Sequence, residues 1–332
     1  MNALMRRMSP QWQSRQVADV LAWLRDYNAG RTDKVRFVGV EYYLLGSLAY
    51  DAVDRHVAAT APGRLAELRR HLGVVRPSTA DMFEYIQWYL SVADKGPYVR
   101  HARQVYRLVR DLPHRPGDPA HALALHHARQ LVSFYMHYSL PQPPASDSLV
   151  YRDAHPAQNL RWWHRYSGDK VAYWGASAHT ANAPQLRIVV PPGPDWRYAT
   201  AGSYLRRWYG QRYVSIGFTF DHGTVSLGPG ATVPLPPPAP GWFERPLGRV
   251  GLDQFAVDLH TPAPAPVRRW LEAPIRTRGL PDGGPGSSMA GAPWPSGSTY
   301  SSTARSSPQP SRPDPRHSVW VRGGLARPGD RG

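Results

Sequence analysis

The residue best placed to do chemistry in this chain is His179, at the end of the segment Lys170-Val-Ala-Tyr-Trp-Gly-Ala-Ser-Ala-His179. The β-branched and aromatic run over residues 171–174 predicts a short buried strand, and the small residues after it leave room for a ligand. Open α/β sheets bind ligands at the carboxyl ends of their strands. A neutral imidazole there can act as a general base near neutral pH. The alternative is a histidine that only hydrogen-bonds within a turn.

A second group of polar residues, Arg152, Asp153 and Asn159, lies on a predicted helix just upstream. Positions 152 and 159 share a helix face, whereas Asp153 is less well aligned with Asn159. An arginine there could bind a carboxylate or an oxyanion. The simpler interpretation is an acid at a helix start beside a surface arginine. Glu41 directly follows the apolar run 35–40 and is a candidate acid/base partner, although an isolated glutamate at a strand end is usually a solvated loop residue.

Other catalytic or cofactor motifs find little support. Gly175-Ala-Ser-Ala-His179 resembles a G-x-S-x-G nucleophile elbow, but His179 replaces the last glycine and would crowd the tight turn. His126 and His127 are adjacent, so they point to different faces of a helix, and no H-E-x-x-H motif occurs. Walker A and G-x-G-x-x-G motifs are also absent from the sequence. We therefore expect neither a metal nor another cofactor.

The composition of the chain excludes several kinds of site and argues against several classes of protein. The chain of 332 residues has no cysteine, which excludes disulfides, thiolate metal sites and a cysteine nucleophile. It has no apolar leader at its start and no run long enough to span a membrane, so we expect a cytoplasmic protein. The net charge of +16 suggests polyanions as partners. However, the arginines are dispersed among Asp and Glu along the chain, and this dispersal argues against nucleic-acid binding.

The elements expected to position these residues form an α/β fold with a mainly parallel sheet flanked by helices. Strands alternating with helices favour that arrangement, and residues 44–138 predict several helices, hence a helical insertion. The helix over 149–166 is expected to begin near Asp153, because Pro156 then falls in its first turn. Further helices are expected at 11–29 and 199–209, and strands at 35–40, 170–174, 213–220 and 255–259.

The composition changes after about Arg278, where Gly, Pro, Ser and Arg come to dominate. Such a segment cannot bury enough apolar surface to offset the entropy lost on ordering. We therefore predict one domain over residues 1–278 and a disordered tail over residues 279–332.

Several segments, in their order and spacing, resemble the erythromycin esterase family over about residues 4–260. Arg152-Asp-Ala-His-Pro-Ala-Gln-Asn159 resembles the family's R-D-x-x-M-A-x-N helix, and Trp174-Gly-Ala-Ser-Ala-His179 resembles its W-A-H-N-x-H segment. Ala201-Gly-Ser-Tyr-Leu205 is similar to M-G-x-x-L, and Tyr213-Val-Ser-Ile-Gly-Phe-Thr-Phe220 to Y-x-x-I-G-F-x-F. Val35-Arg-Phe-Val-Gly-Val-Glu41 is similar to a family strand that ends in an acid.

The resemblance implies a hydrolase that opens an ester or a macrolide lactone by activating water without a metal, and hence a role in antibiotic resistance. It implies that His179 and Glu41 are catalytic. It also implies that Arg152, Asp153 and Asn159 bind the substrate, a small-molecule ester or lactone. The resemblance leaves the oligomeric state open.

The chain lacks one family motif and departs from parts of two others, one of them at Pro156, which replaces the usual Met. The family's G-E-x-T-H-G motif supplies a glutamate and the histidine assigned as base, but this sequence contains no Gly-Glu dipeptide. Ala176 and Ser177 also replace the first His and the Asn of W-A-H-N-x-H. We therefore expect an N-terminally truncated member with impaired catalysis, because losing an acid/base group costs about 10²–10⁴-fold. The alternatives are a non-catalytic relative that binds a small molecule, a decayed remnant, and a basic scaffold that binds acidic partners through its tail.

Overall fold

The computed structural model describes residues 12–141, 146–193, 195–228, 231–259, 261–280, 283–291 and 300–304. The chain divides into two compact units. One unit comprises residues 39–174, and the other joins the residues before 39 to those from 175 onward. The division predicted from composition, at Arg278, stays a prediction.

The unit of residues 39–174 is helical. Asp81 and Asp118 accept hydrogen bonds from backbone N–H groups of the first turns of two helices, which fixes where those helices begin. Fully buried tyrosine and phenylalanine side chains, among them Tyr50, Tyr89 and Phe134, fill the space between the helices. The helices are α2 (Ser47–Thr60), α3 (Leu65–Val75), α4 (Met82–Ser91), α5 (Gly96–Arg110), α6 (Pro119–His137) and α7 (Ser146–Ser167); α1 (Arg15–Asn28) belongs to the other unit.

Helix α7 begins before the predicted start near Asp153, so that expectation is wrong. Pro156 lies in the interior of the helix rather than in its first turn. Proline lacks an N–H, so the helix loses the hydrogen bond that residue 156 would donate to the carbonyl of Arg152. Pro156 and Ala157 are both buried, and this tertiary packing outweighs the local preference. No helix within the described ranges combines the length and the apolar character needed to cross a membrane.

The sheets are small and mostly antiparallel, which corrects the expectation of a mainly parallel sheet. β1 (Leu186–Val189) pairs antiparallel with β2 (Asp195–Tyr198), because the short connection between them permits only an antiparallel pairing. Among the described strands, one parallel pair occurs, between β3 (Ile216–Phe220) and β9 (Tyr300–Ala304). The other strands are β4 (Gly223–Gly228), which pairs with β5 (Ala231–Leu235); β6 (Gln254–Asp258), which pairs with β9; and β7 (Thr277–Arg278), which pairs with β8 (Ser288–Ala290), itself paired with β1.

Two predicted strands are absent. Residues 35–40 and 170–174 form no strand, and Phe37 and Trp174 are 50% and 56% exposed. The side chain of Asn28 takes the place of a partner strand at Val35: its Nδ2 donates to the Val35 carbonyl, and its Oδ1 accepts from the Val35 N–H, each at 2.8 Å. The predicted strands at 213–220 and 255–259 are confirmed as β3 and β6, and the predicted helix at 199–209 as α9 (Ala201–Tyr209).

The predicted disordered tail contains two of the strands. β8 and β9 both lie beyond Arg278, and the disorder of the tail stays a prediction. β8 pairs with β1, and β9 pairs with β3. Residues 281–282, 292–299 and 305–332 of the predicted tail lie outside the described residues.

The buried carboxylate of Glu244 links β3 to β7. Glu244, in the short helix α10 (Glu244–Leu247), is fully buried. Its Oε1 accepts from the hydroxyl of Thr219 at 2.7 Å, from the hydroxyl of Thr277 and from the N–H of Arg278 at 3.1 Å. Nearby, α11 (Ala265–Glu272) packs its buried Leu271 with other apolar side chains.

Candidate functional site

Residues 40–43 lie along one side of α7, and this packing brings Glu41 close to three other predicted site residues. The Asn159 side chain donates its Nδ2 to the carbonyl oxygen of Val40 at 2.7 Å. Two turns earlier on the same helix, the guanidinium carbon of Arg152 lies 4.8 Å from the centre of the Tyr43 ring. Glu41 falls between these two contacts in sequence. The segment that carries the carboxylate is therefore held at both ends.

Asn159 is held in place by a second amide. Asn159 and Gln130 of α6 form a reciprocal buried pair: Asn159 Nδ2 donates to Gln130 Oε1 at 2.8 Å, and Gln130 Nε2 donates to Asn159 Oδ1 at 3.1 Å. With the bond to Val40, both amide protons of Asn159 are used inside the protein. This geometry makes Asn159 a residue that positions the Glu41 segment. Its predicted role in binding substrate stays a prediction.

Tyr173 joins this group, and the sequence interpretation missed it. Its hydroxyl donates to Oε1 of Glu41 at 3.3 Å. Burial raises the pKa of Tyr173, the nearby carboxylates of Glu41 and Asp153 raise it further, and Arg152 opposes them. Tyr173 is therefore a protonated hydroxyl at neutral pH. In the sequence, Tyr173 lies inside the apolar run 171–174, which predicts a buried strand. Its hydroxyl group is the one feature of the residue that points to a polar role.

A layer of neutral aromatic groups packs beside Glu41. The Tyr42 hydroxyl and Nδ1 of His137 are 3.2 Å apart, and the Tyr42 ring meets the His155 ring edge-on at 5.3 Å. Burial lowers the pKa of His137 to about 4, with Arg152 and His155 contributing, and burial raises the pKa of Tyr42. His137 is thus neutral at physiological pH. Arg152 and Asp153 also lie near this group.

The resulting arrangement, here called the Glu41 cluster, consists of Glu41, Arg152, Asp153 and Tyr173. It combines two carboxylates, one guanidinium and one phenolic hydroxyl. Asp153 is 1% exposed, and Glu41 and Arg152 are half-buried, with the Oε2 atom of Glu41 itself buried. A carboxylate can take a proton from water, and a guanidinium can stabilise an oxyanion. The described residues contain no group of three or more His, Cys, Asp or Glu side chains that could hold a metal ion.

His179 lies in the other compact unit and is described there by its own neighbours. It is half-buried on the one-turn helix α8 (Ser177–Thr180), not at the end of a strand, because residues 170–174 form none. The hydroxyl of Tyr198 donates to the Ala178 carbonyl at 3.3 Å, and Ser215 Oγ donates to the Thr180 carbonyl at 2.9 Å. The backbone on both sides of His179 is therefore fixed.

Gly202, on the first turn of α9, allows the carbonyl groups of Thr180 and Ala181 to lie close to that helix. A Cβ atom at Gly202 would lie 2.2 Å from the Thr180 carbonyl oxygen and 2.3 Å from that of Ala181. The Thr200 hydroxyl, which caps α9, also donates to the Ala181 carbonyl at 2.5 Å. The glycine in the Ala201-Gly-Ser-Tyr-Leu205 motif is therefore needed for packing, because it leaves space for the turn that carries His179.

Replacing Gly202 with Ala should destabilise the protein by about 1–3 kcal/mol, because the added methyl must displace backbone rather than a flexible side chain. The matched control is Gly73→Ala in α3, where a Cβ would meet nothing within 4 Å. That change should raise stability by up to about 1 kcal/mol, since alanine is the better helix former. Chemical denaturation of both variants measures the two shifts, and equal shifts would contradict the close approach at Gly202.

Comparisons with known proteins bear on this arrangement. A family model described as erythromycin esterase matches residues 2–289. The fold is similar to a crystal structure of a Bacillus cereus protein, with 21% identity, a TM-score of 0.75, and coverage of 91% of this chain and 74% of that one.

Two further solved structures are similar. A succinoglycan biosynthesis protein has 19% identity and a TM-score of 0.71 over 90% of this chain and 74% of its own. A variant of the erythromycin esterase EreC in its open conformation has 12% identity and a TM-score of 0.66, and the match covers 93% of this chain and 78% of that one. At these identities the likeness shows the fold alone. No curated protein matches the chain significantly.

Proposed function

Because the chain belongs to the erythromycin esterase family, which supports a hydrolase-like function, we propose that it hydrolyses a carboxylic ester or a macrolide lactone without a metal. The proposed substrate is a small molecule, and the proposed location is the cytoplasm. The observation that carries the proposal is the Glu41 cluster. The Glu41 carboxylate, the Tyr173 hydroxyl and the Arg152 guanidinium lie within electrostatic reach of one another, and this proximity supports the proposal.

Ester hydrolysis needs a base, a group that stabilises the oxyanion and a proton donor, and the cluster can supply all three. Water must lose a proton to a base as its oxygen bonds to the carbonyl carbon, and the Glu41 carboxylate can accept that proton. The carbonyl oxygen then carries negative charge, which the Arg152 guanidinium can stabilise. When the carbon–oxygen bond breaks, the leaving alkoxide takes a proton, and the Tyr173 hydroxyl, protonated at neutral pH, can provide one.

His179 enters the proposal through its family motif, as a candidate general base. The sequence contains no G-E-x-T-H-G motif. For this reason we also propose that the catalytic turnover of this chain is impaired. The loss of an acid/base group alone lowers turnover by about 10²–10⁴-fold.

The test is hydrolysis of a nitrophenyl ester series and of a macrolide lactone by the purified chain and by a His179→Ala variant. We expect weak turnover by the parent chain and none by the variant. Unchanged turnover in the variant would remove His179 from the mechanism. Complete inactivity of the parent chain towards every ester would favour the alternative below.

The alternative is a non-catalytic relative that binds a small molecule. The replacements at Ala176 and Ser177, which remove a histidine and an amide from the family pattern, favour it. A macrolide that raises the melting temperature of the chain without being hydrolysed would support this alternative, because a ligand that binds the native state stabilises it.

A further inference from the structure

Two histidines outside the Glu41 cluster face each other across a helix pair. His71 on α3 and His101 on α5 place their Nδ1 atoms 3.0 Å apart, with ring centroids at 5.1 Å and planes inclined by 58°. Both side chains are half-buried, so solvent reaches them. The helices that carry them are rigid: the neighbours Leu72 and Ala102 are buried in the aromatic core. The backbone positions of His71 and His101 are thus fixed by packing.

This spacing matches the span of two nitrogens on one metal ion. Two imidazole nitrogens that bind an ion at about 2.0–2.1 Å lie about 2.9 Å apart at a right angle and about 3.3 Å apart at a tetrahedral angle. The observed 3.0 Å, which is also an ordinary hydrogen-bond length, lies within this span. Right-angled nitrogen pairs are typical of square-planar Cu²⁺ and Ni²⁺, and Cu²⁺ is the stronger binder of the two.

The same contact also explains why the pair is available to a metal. At 3.0 Å the two nitrogens share one proton, so at least one imidazole is neutral. Burial lowers the pKa of His71, and the neighbouring His101 lowers it further, although Glu67 one turn earlier opposes them. Arg64 holds that Glu67 carboxylate at 2.7 Å. A metal ion would compete with the shared proton for the two nitrogens.

We propose that His71 and His101 form a two-histidine chelate for a square-planar divalent ion, Cu²⁺ above all, with water in the remaining positions. The site is separate from the Glu41 cluster in its residues and its chemistry. It does not depend on the proposed hydrolysis, because neither histidine has a part in that mechanism. The two side chains come from different helices, so metal binding would join α3 to α5.

The test is a titration of the full chain with Cu²⁺ alone, followed by calorimetry and by electron paramagnetic resonance. The variants are His71→Ala and His101→Ala. The matched control is His222→Ala, which removes a half-exposed histidine that lies 2.7 Å from Asp221 and could bind metal by itself. Alanine suits both helices, and the corresponding glutamine variants replace it if either alanine variant fails to fold.

We expect one tight Cu²⁺ ion per parent chain, with two nitrogens coupled to it. Either single substitution in the pair should weaken that ion at least about tenfold, because the second imidazole is held at high local concentration beside the first. The His222→Ala control should retain the site. Binding that survives either substitution in the pair, or that is lost equally in the control, would overturn the proposal, as would the absence of a tight first ion.

Discussion

Replacing Glu41 with Gln is expected to lower ester or lactone turnover by about 10²–10⁴-fold, because the change removes the proton acceptor of the Glu41 cluster and keeps its shape. Gln can still accept the Tyr173 hydroxyl bond through its side-chain oxygen. Stability should therefore change little. Initial rates at saturating and limiting substrate separate a loss of kcat from a rise in KM, and the proposed role predicts that kcat falls.

Two further variants sharpen this test. Tyr173→Phe removes the proposed proton donor together with one hydroxyl bond to Glu41, so turnover should fall by about 10²–10⁴-fold. Glu272→Gln is the matched control, since Glu272 is exposed near the end of α11. If Glu41→Gln and Glu272→Gln have the same turnover as the parent chain, Glu41 is not the base, and the cluster is structural.

Acidification from pH 7 to pH 4 is expected to destabilise the helical unit by several kcal/mol. His126 and His137 are 6% and 9% exposed, and burial lowers their pKa values to about 3 and about 4, from 6.5 in the unfolded chain. Below pH 6.5 the unfolded chain therefore binds more protons than the folded one. Stability is complete above pH 6.5 and falls as the pH drops towards the folded values. Each pKa unit corresponds to 1.36 kcal/mol, so each histidine contributes on the order of a few kcal/mol.

Urea denaturation at a series of pH values measures this loss. His126→Phe should reduce its slope, because phenylalanine can keep the stacking on Trp162, where the centroids are 3.8 Å apart, and cannot take a proton. Among the described residues Nδ1 of His126 makes no hydrogen bond, so phenylalanine gives up none at that atom. An unchanged slope in this variant would show that His126 titrates normally in the folded protein. The control His222→Ala should leave the slope intact, because that half-exposed residue lies in the other unit.

The sequence by itself determined the helices and the family. The amphipathic pattern of residues 11–29 became α1, and the predicted helix at 199–209 became α9. Helices can be predicted in this way because each hydrogen bond joins residues four apart, so the pattern and the partner lie in the same window. The ordered motifs from Arg152 to Phe220 likewise identified the family, which the match over residues 2–289 shows.

Only the tertiary structure decided which apolar runs became strands and which polar groups met. Residues 35–40 and 170–174 have strand-like composition, but a strand requires a partner, and the local sequence does not say whether one is available. Glu41 and Tyr173 are 132 residues apart in the chain, and Val40 and Asn159 are 119 apart. No periodicity spans such distances. The contact of Val40 with Asn159 exists because residues 40–43 pack against α7, and such packing is a property of the whole helical unit.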